Sequence, residues 1–310
     1  MILTVTLNPA IDRTIEIENL EVDKVNRSLK VRKDIGGKGI NVSKTILAMG
    51  GDSLATMIVG GPNGDFILSE ASRLGLKTKV ITNEGNTREN IKIVDVMNKT
   101  YTDINEPGPE AENTVEIEIL SFIENELKKN DLLVLSGSSL KGLSDDIFNK
   151  MVEKATQVGA YTIVDTEGEK LRKAIESCPS LIKPNIHELE DLFETEIKTI
   201  EEVISYSKKL IEKGVQTVVV SMGEKGILWI SEDKVYLGEA LKVDVKSTVG
   251  AGDAIVAGIA KCLNEKKSVE ETIKIAIAAA SCVISTEGSK TGNMEALEHY
   301  ISKVSVSELA

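Results

Sequence analysis

Leu132-Leu133-Val134-Leu135, Tyr161-Thr162-Ile163-Val164, Leu181-Ile182 and Val218-Val219-Val220 are short runs of aliphatic and β-branched residues in the middle of the chain. Apolar runs this short, with no polar alternation, read as strands buried on both faces. Each is expected to lead into a helical pattern of ten or more residues. Strand–helix alternation of this kind predicts βαβ units, hence a parallel sheet covered by helices on both sides.

Outward from that block the pattern extends and then changes. Residues 1–7 alternate Thr with aliphatics and read as a further strand, stopped by Asn8-Pro9. A helix is predicted from residue 39 to Gly50-Gly51, a buried strand over 53–60, and a helix over 65–74 closed by Gly75. A hairpin is expected over 226–230 and 234–237, then helices over about 251–264 and 269–286. Two stretches break the rhythm. Thr14-Ile15-Glu16-Ile17-Glu18 alternates apolar with polar residues, and so do Ile91, Ile93 and Val94 among Lys92, Asp95 and Asn98. Such strands have one wet face. They predict a small accessory sheet over about 12–35 and about 88–106, a lid beside one α/β domain spanning 1–310.

Composition narrows the partners. The 310 residues carry 37 Lys plus Arg against 49 Asp plus Glu, a formal charge of −12, and 41% are hydrophobic. That excludes disorder and disfavours nucleic acid and anionic membranes. With 1 Trp, 5 Tyr and 4 Phe there is little surface for stacking bases. Cys178, Cys262 and Cys282 are too few and scattered for a disulfide framework, and the latter two read as buried thiols. The N-terminus lacks the basic region of a signal peptide, and no apolar run approaches the ~20 residues of a membrane span. The expectation is a soluble cytoplasmic protein acting on small molecules.

Ligands of open parallel sheets sit at the carboxyl ends of strands. Those ends are polar here: Asn8 and Asp12, Ser136-Gly137-Ser138-Ser139, Asp165, Lys183-Pro184-Asn185, and Ser221-Met222-Gly223. Thr248-Val249-Gly250-Ala251-Gly252-Asp253 opens a helix with two glycines, a ready anion site. Asp253 there is either a partner of the helix dipole or a base beside an anion hole, as phosphoryl transfer requires. Ile35-Gly36-Gly37-Lys38-Gly39-Ile40-Asn41 is a second glycine cluster opening a helix. Its lysine is either solvated or turned toward a substrate, and its spacing is not that of a P-loop. No GxGxxG is present, which counts against a dinucleotide-binding dehydrogenase. Asn185 and Glu188, three apart, would share a helical face and could hold the water shell of magnesium. His187 has no histidine four residues on, so a zinc-protease helix is excluded, and two histidines leave no serine or cysteine triad.

In order along almost the whole chain, these segments resemble the ribokinase-like (PfkB) family of carbohydrate kinases. The resemblance is carried by Asn8-Pro9-Ala10-Ile11-Asp12, Gly36 to Val42, Thr87-Arg88-Glu89-Asn90, Ser136-Gly137-Ser138, Lys183-Pro184-Asn185 with Glu188, Ser221 to Gly226, and Thr248 to Asp253. It implies a three-layer α/β fold with a β-sheet lid, ATP as co-substrate, and Mg²⁺. It implies Asp253 as the base, with Gly250, Ala251 and Gly252 forming the anion hole. Asp12 and Asn41, with Gly36 and Gly37, would bind the sugar. Lys38, Arg88 and Ser138, and less strongly Lys24, would hold a phosphate already on it. Lys183, Asn185 and Glu188 would serve ATP phosphates and, through water, the metal. Ser221, Gly223, Gly226 and Thr248 would line the nucleotide.

Within the family, the opening and the Thr87-Arg88 segment look like kinases of sugar phosphates. Thr102 to Pro109 points to fructose 1-phosphate, with tagatose 6-phosphate as the alternative. A non-catalytic sugar-phosphate sensor on the same scaffold is the reading from a different class. The resemblance also implies a homodimer through the lid. One departure stands out: Ser136-Gly137-Ser138-Ser139-Leu140-Lys141-Gly142 lacks a proline that relatives carry after the leucine, which puts that loop's rigidity in question.

Overall fold

The structure, a computed structural model, describes residues 1–286 and 294–309. In chain order its elements begin with β1 (Ile2–Thr6), β2 (Ala10–Ile17), β3 (Ser28–Gly36), α1 (Lys38–Ala48), β4 (Leu54–Val59) and α2 (Gly61–Leu74). Next come β5 (Lys77–Thr82), β6 (Arg88–Asp95), β7 (Thr100–Asn105), α3 (Asn113–Glu126), β8 (Leu132–Ser136) and α4 (Ile147–Val158). The middle holds β9 (Tyr161–Asp165), α5 (Gly168–Glu176), β10 (Leu181–Ile182), α6 (Ile186–Phe193), α7 (Ile200–Glu212) and β11 (Thr217–Ser221). The chain ends with β12 (Ile227–Ser231), β13 (Val235–Gly238), α8 (Ala251–Asn264), α9 (Val269–Ile284), α10 (Leu297–Ile301) and β14 (Val306–Glu308).

The large sheet has the order β14-β13-β12-β11-β10-β9-β8-β1-β4-β5. From β11 to β5 every neighbouring pair is parallel. Alternate side chains of the central strands enter two separate cores, as a strand's period of two requires. Leu3, Val5, Leu133, Leu135, Val218 and Val220 pack with α3, α4, α5, α6 and α7 on one side. Ile2, Leu132, Val134, Ile163 and Val219 pack with α1, α8 and α9 on the other. Helix α8 is buried all round from Asp253 to Ala260, which accounts for its lack of a polar face.

A second sheet of four strands, β3-β2-β6-β7, stands apart from the first. Its root is anchored by Ile11 and Ile35, which pack with Ile40, Met57, Val59 and Ile67 between α1, β4 and α2.

Several expectations needed correction. Helix α2 begins at Gly61 and not at 65, because Pro62 sits at its first turn, where a missing N–H costs nothing. Strand β5 was not anticipated: it is an edge strand whose lysines, Lys77 and Lys79, mask Val80 and Ile81. β11 leads into the antiparallel hairpin β12–β13 and not into a helix, and α5 and α6 have 9 and 8 residues, fewer than ten. The accessory sheet starts two residues early, at Ala10. Cys262 and Cys282 are buried free thiols, as their apolar surroundings suggested. Among the described residues no helix is long and apolar enough to cross a membrane.

Candidate active site

Strand order reverses at β1. The chain steps from β1 to β4 and β5 on one side, then returns to place β8, β9, β10 and β11 on the other. At such a switch point the loops leaving neighbouring strands diverge and open a crevice. The segments after β1, β8, β9 and β10 all meet there.

On one side stands the end of the small sheet. Asp12 on β2 lies opposite Asn90 on β6, whose amide donates to Asp12 Oδ1 at 3.2 Å. A Cβ at residue 36 would overlap the Asp12 carboxylate, so only glycine lets β3 pass so close. Burial pushes the Asp12 carboxyl up, against the Asn90 hydrogen bond and the charges of Lys44 and Arg88. Arg88 donates from Nη2 to the carbonyl of Asn8 at 3.0 Å and from Nη1 to that of Glu106 at 3.0 Å. Asn8 in turn donates to Ser138 Oγ at 3.4 Å and to the Pro107 carbonyl at 3.1 Å. Arg88, Asn8 and Ser138 thus form one wall, and the Lys38 stem lies against Gly137 beside it.

The loop after β8 is pinned without the proline. Thr166 Oγ1 donates to the Gly137 carbonyl at 2.8 Å, and the N–H of Ala111 donates to the Lys141 carbonyl at 2.7 Å.

The floor is charged. Asp253 is the third residue of α8, and the helix starts from Gly250, whose φ of 83° is left-handed and suits glycine. The first-turn N–H groups of a helix have no intrahelical acceptors, so this turn can take an anion. Asn41 on α1 donates to Asp253 Oδ2 at 2.9 Å. Burial, and then the nearby charge of Asp165, push the Asp253 carboxyl up to about 6, although the Asn41 hydrogen bond, Lys38 and Lys183 pull the other way. A base near neutrality is what proton abstraction at physiological pH needs.

Toward the antiparallel edge, Asn185 and Glu188 are arranged differently from expectation. Asn185 is the N-cap of α6, not a residue on its face. It forms a capping box with Glu188: Asn185 Oδ1 accepts from the Glu188 N–H at 2.9 Å, and Glu188 Oε2 from the Asn185 N–H at 2.8 Å. The box fixes both side chains beside Lys183. Asn185 also bridges Ser221 in parallel, which brings the turn of Gly223 and Gly226 alongside. Thr248 tethers the glycine loop, its carbonyl accepting from Ala251 at 3.4 Å.

The structure therefore brings together every anticipated residue except one. Lys24 lies in the turn between β2 and β3, at the far end of the small sheet from Asp12, and is exposed and paired with Glu21. The sequence favours that turn for solvent: 18–27 is rich in charge and poor in anchors. Three residues went unassigned. Asp165 is 1% exposed and ion-paired with Lys183 and Lys38; its place at the end of a buried strand was the available signal. Asn8 was visible in the same way. Lys44 is buried on α1 and donates to the Ile35 carbonyl at 2.8 Å; a lysine inside the Val42–Ile46 apolar stripe was the clue. Buried polar atoms without partners gather here too: Thr6 Oγ1, Asn8 Oδ1, Asn41 Oδ1, Asn90 Oδ1, Ser136 Oγ and Arg88 Nε. Such groups are costly unless something pairs with them.

Comparison with known proteins agrees with this geometry. The signature of the pfkB family carbohydrate kinase matches residues 5–296. The chain is 35% identical to the 1-phosphofructokinase of Bacillus subtilis over 100% of both proteins. It is 36% identical to the 1-phosphofructokinase of Borreliella burgdorferi over 91% of each. Phosphofructokinase-2 from Escherichia coli, solved in complex with fructose-6-phosphate, superposes with a TM-score of 0.89 at 25% identity, covering 97% of this chain and 99% of that one. Relatedness along the whole chain, joined to a site of this construction, makes this protein a member of the pfkB family of carbohydrate kinases.

Proposed function

We propose that the protein transfers the γ-phosphoryl group of ATP to the 6-hydroxyl of D-fructose 1-phosphate, yielding fructose 1,6-bisphosphate and ADP. The observation that carries this reading is Asp253: a buried carboxylate with its proton affinity raised toward neutrality, at the head of α8, facing lysines of the sugar and nucleotide sides. The names of the relatives choose the sugar.

In this mechanism Asp12 and Asn41 hold sugar hydroxyls, and Arg88, Lys38 and Ser138 take the 1-phosphate through charge-assisted hydrogen bonds. Asp253 accepts the proton of the 6-hydroxyl as its oxygen bonds to the γ-phosphorus and the bond to the β–γ bridging oxygen breaks. The N–H groups of Gly250 and Gly252 face the charge on the transferring group, joined by that of Ala251 once its long bond to the Thr248 carbonyl gives way. Lys183 holds ATP phosphates, and Ser221, Gly223, Gly226 and Thr248 line the nucleotide. Magnesium suits the donors present. Among the described residues no three carboxylate, thiolate or imidazole groups converge to seize a metal directly. Glu188 keeps one oxygen beyond its cap, and Asn185 lies beside it, so the pair would hold the ion through water. When bound, magnesium neutralises phosphate charge. The small sheet, with Asp12 and Arg88 at its root, would act as the lid that keeps water from the reacting groups.

The outer face of that lid is apolar beyond an ion-paired cluster of Arg13, Lys33 and Glu89 nearer its root. Ile15 pairs with Val31 and Ile93, and Ile91 with Ile104, all on the side opposite Asp12 and Asn90. Val31 and Ile104 are 45% and 52% exposed. We assign this face to a second copy of the chain.

A coupled ADP assay with fructose 1-phosphate, tagatose 6-phosphate and unphosphorylated fructose tests the substrate. Fructose 1-phosphate should give the highest kcat/KM. Preference for tagatose 6-phosphate would reassign the sugar, preference for fructose would remove the phosphate site, and no turnover with any would favour a sensor. Asp253→Ala should lose roughly 10²–10⁴-fold in kcat, while Arg88→Ala and Lys38→Ala should each raise KM for the phosphosugar.

Asp253 also makes a stability prediction. Its folded carboxyl is raised from 3.8 to about 6, so the folded state binds the proton more tightly than the unfolded one. Stability from this group is full below pH 3.8 and is lost as pH rises through about 6, a cost of about 3 kcal/mol at two pH units of displacement. Asp253→Asn should therefore resist urea better than wild type at pH 8, with the gap narrowing at pH 5. An equal gap at both values would contradict the assignment.

For the dimer, sedimentation at micromolar concentration should show two chains, and Val31→Lys with Ile104→Lys should give one. A monomeric wild type would refute the interface.

A further inference from the structure

Asp165 closes β9 and is almost fully buried, yet the reaction described above gives it no task. One of its oxygens, Oδ1, faces two ammonium groups: Lys183 Nζ at 3.0 Å and Lys38 Nζ at 3.7 Å. These lysines belong to different halves of the site. Lys38 opens α1 beside Ser138 and the phosphosugar wall. Lys183 follows β10, next to the capping box, and its Nζ would lie 3.5 Å from a Cβ at residue 252, against the first turn of α8.

The backbone that carries this carboxylate is fixed. The N–H of Gly137 donates to the Asp165 carbonyl at 3.0 Å, and the N–H of Lys183 donates to the Val164 carbonyl at 3.0 Å. The ends of β8, β9 and β10 are thereby locked side by side. Burial alone would push the Asp165 carboxyl up, but Lys183 and then Lys38 outweigh it and hold it below the usual range. It is an anion inside a site for two phosphate-bearing ligands, and among the described residues its ion-pair partners are these two lysines.

We infer that Asp165 is a positioning residue that gathers Lys38 and Lys183 on one oxygen and so couples the phosphosugar site to the nucleotide site. This rests on the kinase reading above. If Lys38 loses its ammonium, the carboxylate is left to Lys183 alone. It then draws that lysine back and repels the nucleotide phosphates, although Lys38 belongs to the phosphosugar side. Sites joined through a shared group must respond in both directions.

The test is calorimetric binding of a non-hydrolysable ATP analogue with magnesium to wild type, Lys38→Ala, Asp165→Asn and the double variant. Lys38→Ala should weaken nucleotide binding by roughly fivefold or more. In the Asp165→Asn background the same substitution should change nothing, because the shared anion is gone. An unchanged affinity in Lys38→Ala, or the same loss in both backgrounds, would overturn the proposal. A merely structural Asp165 would give additive losses and a lower unfolding midpoint. Should Asp165→Asn fail to fold, Lys183→Ala provides the reciprocal measurement: fructose 1-phosphate must bind it more weakly than wild type, and an unaltered affinity overturns the coupling. If wild type itself ignores fructose 1-phosphate, the substrate reading fails, while the effect of Lys38→Ala on the nucleotide analogue still judges the coupling.

Discussion

Two carboxylates, Asp165 and Asp253, are buried at the head of a parallel sheet; Lys38 and Lys183 pair with Asp165 and offset its burial, while Asp253, bonded by Asn41, is only partly offset by them. Most of the architecture near the site serves that balance. Asp165 must end a strand buried on both sides, Asp253 must begin a helix buried all round, and Lys183 must leave a two-residue strand between them. Remove the lysines and the anions repel one another in a poorly solvated crevice; remove the anions and the lysines have no fixed address. The topology meets this demand by reversing strand order at β1, so that all the contributing loops leave the sheet at one place.

Net charge takes on a narrower meaning in this setting. A chain at −12 repels polyanions along its surface. The groups that counter this field are few and local: Arg88, Lys38 and Lys183, and the first turn of α8. A surface average says nothing about a cleft where some cations are held by partners of fixed position. Arg88 illustrates the point, since two backbone carbonyls aim its guanidinium.

Much of the fold was legible because buried parallel strands leave a strong trace. Val218-Val219-Val220 and Leu132 to Leu135 have no polar alternation, and the wet alternation around Ile15 and Ile93 separated the second sheet from the first. The failures were of a different kind. Edge strand β5 hid behind its lysines, and the helix expected directly after Val218-Val219-Val220 is absent, because Gly223 and Gly226 turn the chain straight into the hairpin expected over 226–237. At the site, motifs exposed the residues that would touch ligands, while the supporting contacts of the others stayed hidden, even for Asp165, whose place at a strand end was visible. Asp165 and Lys44 act on side chains from distant parts of the chain, and no local spacing records such contacts. Lys24 failed for the converse reason: proximity in sequence to β2 did not bring it to the end of β2 that matters.

The hydrogen bond from Asn41 to Asp253 spans 212 positions of sequence. It follows that no early portion of the chain can assemble the reactive centre. A nascent polypeptide emerging from the ribosome has β1, α1 and the small sheet long before α8 exists, so the half of the site around Asp12, Asn41 and Arg88 is made first and waits without Asp253. Contacts of such separation slow folding, because the ends of a long loop must meet before anything rewards the meeting.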